Sequence, residues 1–267
     1  MKPRVNRSTS QAPLTRRIPW SAMLDLLAIA AWGALLLKYW LTGKMNILLH
    51  PDYHWLAVSA GIFLVVLSVL KLGQLLKILV DPKGEKRSLA AQQHIALFKP
   101  GVGSAILLFV AIVGLQFTPQ PFTSAVALQR GITETLSMTR SQPQAFRGTT
   151  APEDRSIIDW VRTLNVYPEP DAYAGQPVQV DGFAVHLDGF PDHYFTISRF
   201  VITCCAADVY PVGLPVKLSG SQSIYPADQW FRVKGKMITE THNDIRQVVI
   251  EAEDVTEIPE PENPYEY

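Results

Sequence analysis

Three long apolar runs constrain this chain more than anything else in it. The first, Met23 to Leu41, is interrupted only by Asp25 near one end and Lys38 near the other. About 20 apolar residues in helical form cross the roughly 30 Å of hydrocarbon in a bilayer. The run therefore reads as a retained transmembrane helix whose two charges snorkel to the headgroups. It is longer than the apolar core of a signal peptide, and no clear small-residue cleavage site follows it. A second span is expected from about Trp55 to Leu72, and a helix emerging into the interface continues through Lys77 to Val80 until Asp81-Pro82-Lys83-Gly84 stops it. Tyr39, Trp40, Tyr53 and Trp55 cluster around the connection between these helices, as an aromatic belt at one membrane face does. The third run, Gly101 to Phe117, is about 17 residues long, the lower limit for a span, and Pro119 and Pro121 end it.

Loop charges set the expected orientation. The first 19 residues carry Lys2, Arg4, Arg7, Arg16 and Arg17 with no acid, and read as a disordered cytoplasmic tail. The first connection holds only Lys44, whereas the second, Gly73 to Pro100, holds Lys77, Lys83, Lys86, Arg87 and Lys99. The positive-inside rule then puts the N-terminus and the second connection in the cytoplasm of a plasma (inner) membrane, and three spans put the C-terminal half outside. Expected domains are the tail (1–19), a membrane domain of three helices (20–118), a linker rich in Ser, Thr, Gln and Pro (119–150), and an extracytoplasmic domain (151–267) that carries most of the acids and prolines. The formal net charge is zero, which argues against a nucleic-acid partner.

The extracytoplasmic part opens with a short helix: Pro152 at its first turn, Glu153 and Asp154 near its N-terminus, and Ile157, Ile158, Val161 and Leu164 on one face. Five β-rich runs follow, Val178 to Val185, Tyr194 to Thr203, Val209 to Leu218, Trp230 to Ile238 and Gln247 to Ile258, separated by Gly, Pro, Asp and Asn. Five short strands suit a small closed or nearly closed, OB-like barrel, and Gly235 within the alternating run from Trp230 fits one. The fold class is thus an α-helical transmembrane N-terminal part plus a small all-β C-terminal domain with one helix.

Both cysteines of the chain stand side by side at Cys204 and Cys205. Consecutive Cα atoms lie about 3.8 Å apart and ordinary disulfides span roughly 4.4 to 6.8 Å, so two free thiols are expected. In a strand they point to opposite faces. Ala206-Ala207-Asp208 can supply a bend that turns both thiols, with Asp208, toward one point. Two thiolates and a carboxylate suit zinc or copper(I). The plainer reading is one buried small hydrophobe beside an incidental thiol. Of the histidines His50, His54, His94, His186, His193 and His242, His186 and His193 flank the turn before the cysteine run, where a hairpin could bring either one near the thiols, and no fourth ligand is named. His242 is expected to face water from its turn. His50 and His54 are four residues apart, the spacing of one helical face, although Pro51 interrupts it. No glycine-rich phosphate loop, Gly-x-Ser-x-Gly elbow or His-Glu-x-x-His is present, and no enzymatic activity is expected.

The run Arg199 to Pro215, the later Asp228-Gln229-Trp230 with Val233 and Gly235, and the closing Ile258-Pro259-Glu260-Pro261 and Pro264-Tyr265-Glu266-Tyr267 resemble the YcgQ-like family of bacterial permease subunits. In the membrane half the likeness is one of arrangement, helped by His50-Pro51. The resemblance implies membrane helices joined to a C-terminal domain of unknown function, working beside a separate multi-spanning permease. Gene associations in that family point toward transition-metal supply. The expected function is a non-enzymatic accessory subunit whose outer domain binds a transition metal or other small solute. The alternative is an extracytoplasmic redox protein using the Cys204 and Cys205 thiols. The orientation is checked with a membrane-impermeant thiol reagent on Ser141→Cys. Labelling of intact cells is expected, and labelling only after the cells are opened reverses it.

Overall fold

The computed structural model describes residues 20–80, 101–132, 151–242 and 245–267. The expected tail (1–19), most of the second connection and residues 133–150 of the expected linker lie outside them. Two compact units are present, one comprising Leu56–Thr118 with the chain up to Tyr39, the other Trp40–Trp55 with Pro119–Tyr267.

The first unit is helical: α1 (Trp20–Leu41), α2 (His54–Val80) and α3 (Val102–Gln116). Among the described residues two helices are long and apolar enough to cross a membrane, over Trp20–Leu41 and Pro51–Lys77. Helix α3 has 15 residues, about 23 Å of rise, short of the roughly 30 Å of hydrocarbon. Glycine sets the close packing of α1 on α2. A Cβ on Gly33 would sit 2.9 Å from Val65 Cγ2, and one on Gly61 would sit 3.2 Å from Leu36 Cβ.

Polar side chains in this unit bond across helices instead of snorkelling. Asp25 pairs with Lys71 Nζ at 3.1 Å and accepts from Ser104, so one carboxylate ties all three helices. Lys38 Nζ donates to the Leu115 carbonyl at 2.6 Å, Tyr39 to Gly114 at 2.6 Å and the Trp32 indole to Leu107 at 3.0 Å. Hydrocarbon offers no hydrogen bonds, so a polar group there gains most from a neighbouring helix.

The second unit is the barrel. Its strands are β1 (Pro177–Val185), β2 (Tyr194–Val201), β3 (Tyr210–Lys217), β4 (Trp230–His242), β5 (Ile245–Glu257) and the short β6 (Tyr265–Glu266). The sheet order is β1-β4-β5-β3-β2-β6, and an added β1–β2 pairing closes five strands on themselves. All closing pairs are antiparallel except β3–β5, where Val216 lies beside Ile250. That is the connectivity of an OB-type barrel. Register slips between Lys234 and Gly235, and a Cβ on Gly235 would lie 2.0 Å from the Glu251 carbonyl oxygen. Glycine is what lets the bulged strand approach there.

Two apolar cores hold the unit. Inside the barrel, Val180, Ile197, Leu214, Val233, Met237 and Ile250 meet Ile157, Trp160 and Val161 of helix α5 (Ile157–Val166). Ser156 and Asp159 cap that helix reciprocally. Outside the barrel, Phe183, Val185, Phe200, Ile202, Trp230 and Tyr265 form a second core. It is covered by Ile47, from the connection between α1 and α2, and by Ala127, with Phe122, Val126 and Ile132 packed against it. Ala127 and Val126 lie on helix α4 (Ser124–Arg130). Residues 119–132 therefore pack on the barrel, where a linker was expected.

The last residues fasten the fold. Strand β6 runs parallel to the end of β2, beside Phe200 and Val201. Buried Glu266 accepts from Arg199 Nη1 at 3.1 Å, from the Ile158 amide at 2.9 Å and from Ser156 Oγ at 3.1 Å. It is both ion-pair partner and anion at the N-terminus of α5. Breaking a buried pair leaves the other charge uncompensated. Glu266→Gln is therefore expected to cost about 2 kcal/mol of barrel stability, read as a lowered unfolding midpoint of the full chain in detergent. An unchanged midpoint would remove Glu266 from this role.

Candidate metal centre

Strand β2 ends at Val201, so neither cysteine lies in the strand that was expected to run on to Thr203. Past Ile202 the chain turns, and Asp208 makes the turn. Its carboxylate accepts from the Cys204 amide at 2.9 Å, from the Cys205 amide at 3.2 Å and from the Thr203 hydroxyl. The Asp208 amide in turn donates to the Cys205 carbonyl at 3.0 Å. These bonds replace strand geometry with a tight loop, and side chains that would alternate come together. Cys204 Sγ lies 3.6 Å from Cys205 Sγ. The two sulfurs and an Asp208 carboxylate oxygen all lie within 4.8 Å of one another, the one such group of His, Cys, Asp or Glu ligand atoms among the described residues. Cys204 is exposed; Cys205 and Asp208 are half-buried.

A second strand of chain holds the loop from the other side. Leu49 pairs antiparallel with Cys205, the Ala206 amide donates to the Leu48 carbonyl at 2.9 Å, and the His50 amide donates to the Cys204 carbonyl at 3.1 Å. The sequence carries little signal for this strap. Residues 44–50, Lys-Met-Asn-Ile-Leu-Leu-His, stand in the connection between apolar helices, and only His50-Pro51 marks the strap.

Electrostatics keep the exposed thiol protonated. The Asp208 carboxylate beside it, then the neighbouring Cys205 thiol, push Cys204 up to about 11. Burial works to raise Asp208, but hydrogen bonds from the Thr203 hydroxyl, the Cys204 thiol and the amides of Cys205 and Cys204 outweigh it and hold the carboxyl below its usual range. Asp208 is thus an anion at neutral pH with a thiol proton beside it. The pair fits one tetrahedral ion: two sulfurs 3.6 Å apart, each about 2.3 Å from a zinc, subtend roughly 100°.

The histidines lie elsewhere. His193 precedes β2 and packs on Tyr194, with ring centroids 4.5 Å apart, while the cysteines follow the other end of that strand. Eight strand residues at about 3.3 Å each put some 25 Å between the two ends. The hairpin therefore carries His186 and His193 away from the thiols. His186 Nε2 donates to the Tyr225 carbonyl at 2.8 Å. His242 stacks on Phe190 at 4.4 Å and bonds Gly189, more than the solvent-facing role expected of it. His50 and His54 do not share a helical face. His50 precedes a 3-10 turn (Pro51–Tyr53) and accepts the Asp52 amide at Nδ1, and His54 donates to the Leu49 carbonyl at 3.1 Å. His94 lies outside the described residues.

Residues 24–133 match the DUF1980 N-terminal domain and residues 152–267 match the DUF1980 C-terminal domain. No curated protein and no solved structure matches the chain.

The raised Cys204 pKa has a direct consequence for its reactivity. At pH 8 little of this thiol is thiolate, so alkylation by iodoacetamide is expected to be slow despite exposure. Asp208→Asn removes the largest cause of the shift and should speed Cys204 alkylation about tenfold. Equal rates in parent and variant, followed by peptide mass, would show that Asp208 does not control the thiol.

Proposed function

We propose that this chain, which belongs to the DUF1980 family, is a non-enzymatic accessory subunit of a membrane permease. In this reading its barrel domain binds a transition metal through Cys204 and Cys205, with Asp208 as a third ligand. The observation that carries it is the gathering of two sulfurs and a carboxylate oxygen within 4.8 Å on a loop pinned from both sides by main-chain hydrogen bonds. Such a loop holds its donors together before any ion arrives, which lowers the ordering cost of binding. Zinc and copper(I) suit the sulfur pair, and the 3.6 Å separation favours an ion of tetrahedral preference over a linear two-sulfur site.

The helices support a docking role better than a channel. Asp25, Lys71, Ser104 and Lys38 all bond within the helical unit, which leaves apolar surface such as Phe63, Val69, Ile106 and Phe109 for lipid or for a multi-spanning partner. The proposed topology keeps three crossings, α3 being the shortest, with the N-terminus in the cytoplasm and the barrel outside the plasma membrane. The redox reading has less support, because a reactive thiol needs a stabilised thiolate and Asp208 works against one at Cys204.

Purified in mild detergent, the chain is expected to carry about one equivalent of zinc or copper and to retain a multi-spanning partner. Cys204→Ala with Cys205→Ala should bring the metal to background while the β-sheet circular dichroism persists. Equal metal in parent and doubly substituted chain would end the metal reading.

A further inference from the structure

Two thiols and one carboxylate leave a tetrahedral ion one ligand short. The strap supplies a candidate through its register. Leu49 opposes Cys205, and the two bracketing bonds, Ala206 to Leu48 and His50 to Cys204, set His50 directly opposite Cys204. His50 has a polyproline-like backbone, with φ −59° and ψ 141°, as the strap leaves the pairing for the 3-10 turn. The main-chain bond between His50 and Cys204 keeps the two residues neighbours, within reach of an imidazole side chain. No other described histidine is paired with the cysteine loop in this way.

The surroundings of the ring point the same way. His50 Nδ1 lies 3.7 Å from the Asp52 carboxylate. Ligating imidazoles commonly donate their second ring N–H to a carboxylate, which fixes the tautomer and ring direction. In the present rotamer the ring packs edge-on against Tyr267 at 4.8 Å and Nδ1 accepts the Asp52 amide, so its nitrogens stand outside the three-ligand group. A turn about the side-chain bonds exchanges that amide bond for Nδ1–H donation to the Asp52 carboxylate and frees Nε2.

Resting on the metal reading above, we propose that His50 is the fourth ligand, entering through Nε2 with Asp52 as its orienting carboxylate. Metal binding then joins the cysteine loop to the residue that opens the 3-10 turn leading into α2. Pro51–Tyr53 is followed directly by His54, the first residue of α2.

The test uses the full-length chain in detergent with Co²⁺ as the probe. A site of two thiolates, one carboxylate and one imidazole gives sulfur-to-cobalt charge transfer together with the strong visible bands of tetrahedral cobalt. His50→Asn keeps a side chain able to cap the turn but removes the imidazole. It should leave the charge transfer in place, weaken the visible bands and lower cobalt affinity at least about tenfold. His50→Cys should restore four-coordination and raise the charge transfer by about half, as a third thiolate joins two. Unchanged affinity and spectra in both variants, with cobalt bound in the parent, would overturn His50 while leaving the thiol site standing. A parent that takes up no cobalt and shows no sulfur charge transfer would overturn the metal reading itself.

Discussion

Past the end of β2 the main chain runs out of strand partners, and the shape of the cysteine loop follows from that. Strand β1 pairs with β2 only from Phe183 to Val185, opposite Ser198 to Thr196. Beyond that point β6 takes the same edge for Phe200 and Val201, and the Ile202 amide donates to Glu266 as the last bond of that ladder. Buried or half-buried amides cannot go unpaired without cost. Asp208 takes the amides of Cys204 and Cys205, and the Leu48–His50 strap takes the Cys204 carbonyl and the Ala206 amide. The two thiols converge because the hydrogen-bond accounting leaves that loop one compact way to close.

The two cores explain where the sequence was easy to read and where it was not. Four of the five strand runs have ends within a few residues of those seen, and β4, the exception, runs on past Ile238 to His242 in a long hairpin with β5. Alternation is clean in the first half of β1, with Val178 and Val180 buried between more exposed neighbours. It vanishes from Phe183 to Val185 and along nearly all of β2. Those residues face the interior on one side and the outer core on the other, so every position is apolar or covered. In β1 the continuous apolar run from Phe183 to Val185 marks a strand buried on both faces, whereas β2 reaches the same burial with Thr196, Ser198 and Arg199 in it. The covering layer itself left no periodic trace. It consists of a four-residue 3-10 turn around Ile47 and the seven-residue α4, both too short to show a helical period.

Charges in the apolar runs misled for a related reason. Read singly, Asp25 and Lys38 stand near the ends of one helix, and snorkelling is the cheapest fate for a lone charge. Their real partners, Lys71 and Ser104 for Asp25 and the Leu115 carbonyl for Lys38, are 46 to 79 residues away. Spacing along one helix cannot encode such pairs. The same limit hid the strap: Leu49 and Cys205 meet across most of the chain. The Cys-Cys-Ala-Ala-Asp spacing was legible because its contacts are local. A carboxylate three or four residues after two amides is a turn-forming arrangement wherever it occurs.

That local role sets a condition on any ion at the site. A carboxylate offers about four lone-pair positions, and Asp208 already accepts from Thr203, Cys204 and Cys205. An ion gripping both oxygens would strip the amides of the two cysteines and undo the turn that brings the sulfurs together. Coordination compatible with the loop is therefore monodentate, through the position that the Cys204 thiol vacates when it gives up its proton. The Cys204 proton sets a second condition. A thiol pushed up to about 11 gives up its proton to a metal less readily than an ordinary cysteine. Uptake of an ion there would rise with pH through the neutral range, because displacing the Cys204 proton counts against binding until the solution itself removes it. A loop built this way holds its sulfurs close, with the Cys204 thiol protonated beside the Asp208 anion. Its donors are gathered by the loop's own hydrogen bonds, so their closeness does not depend on an ion.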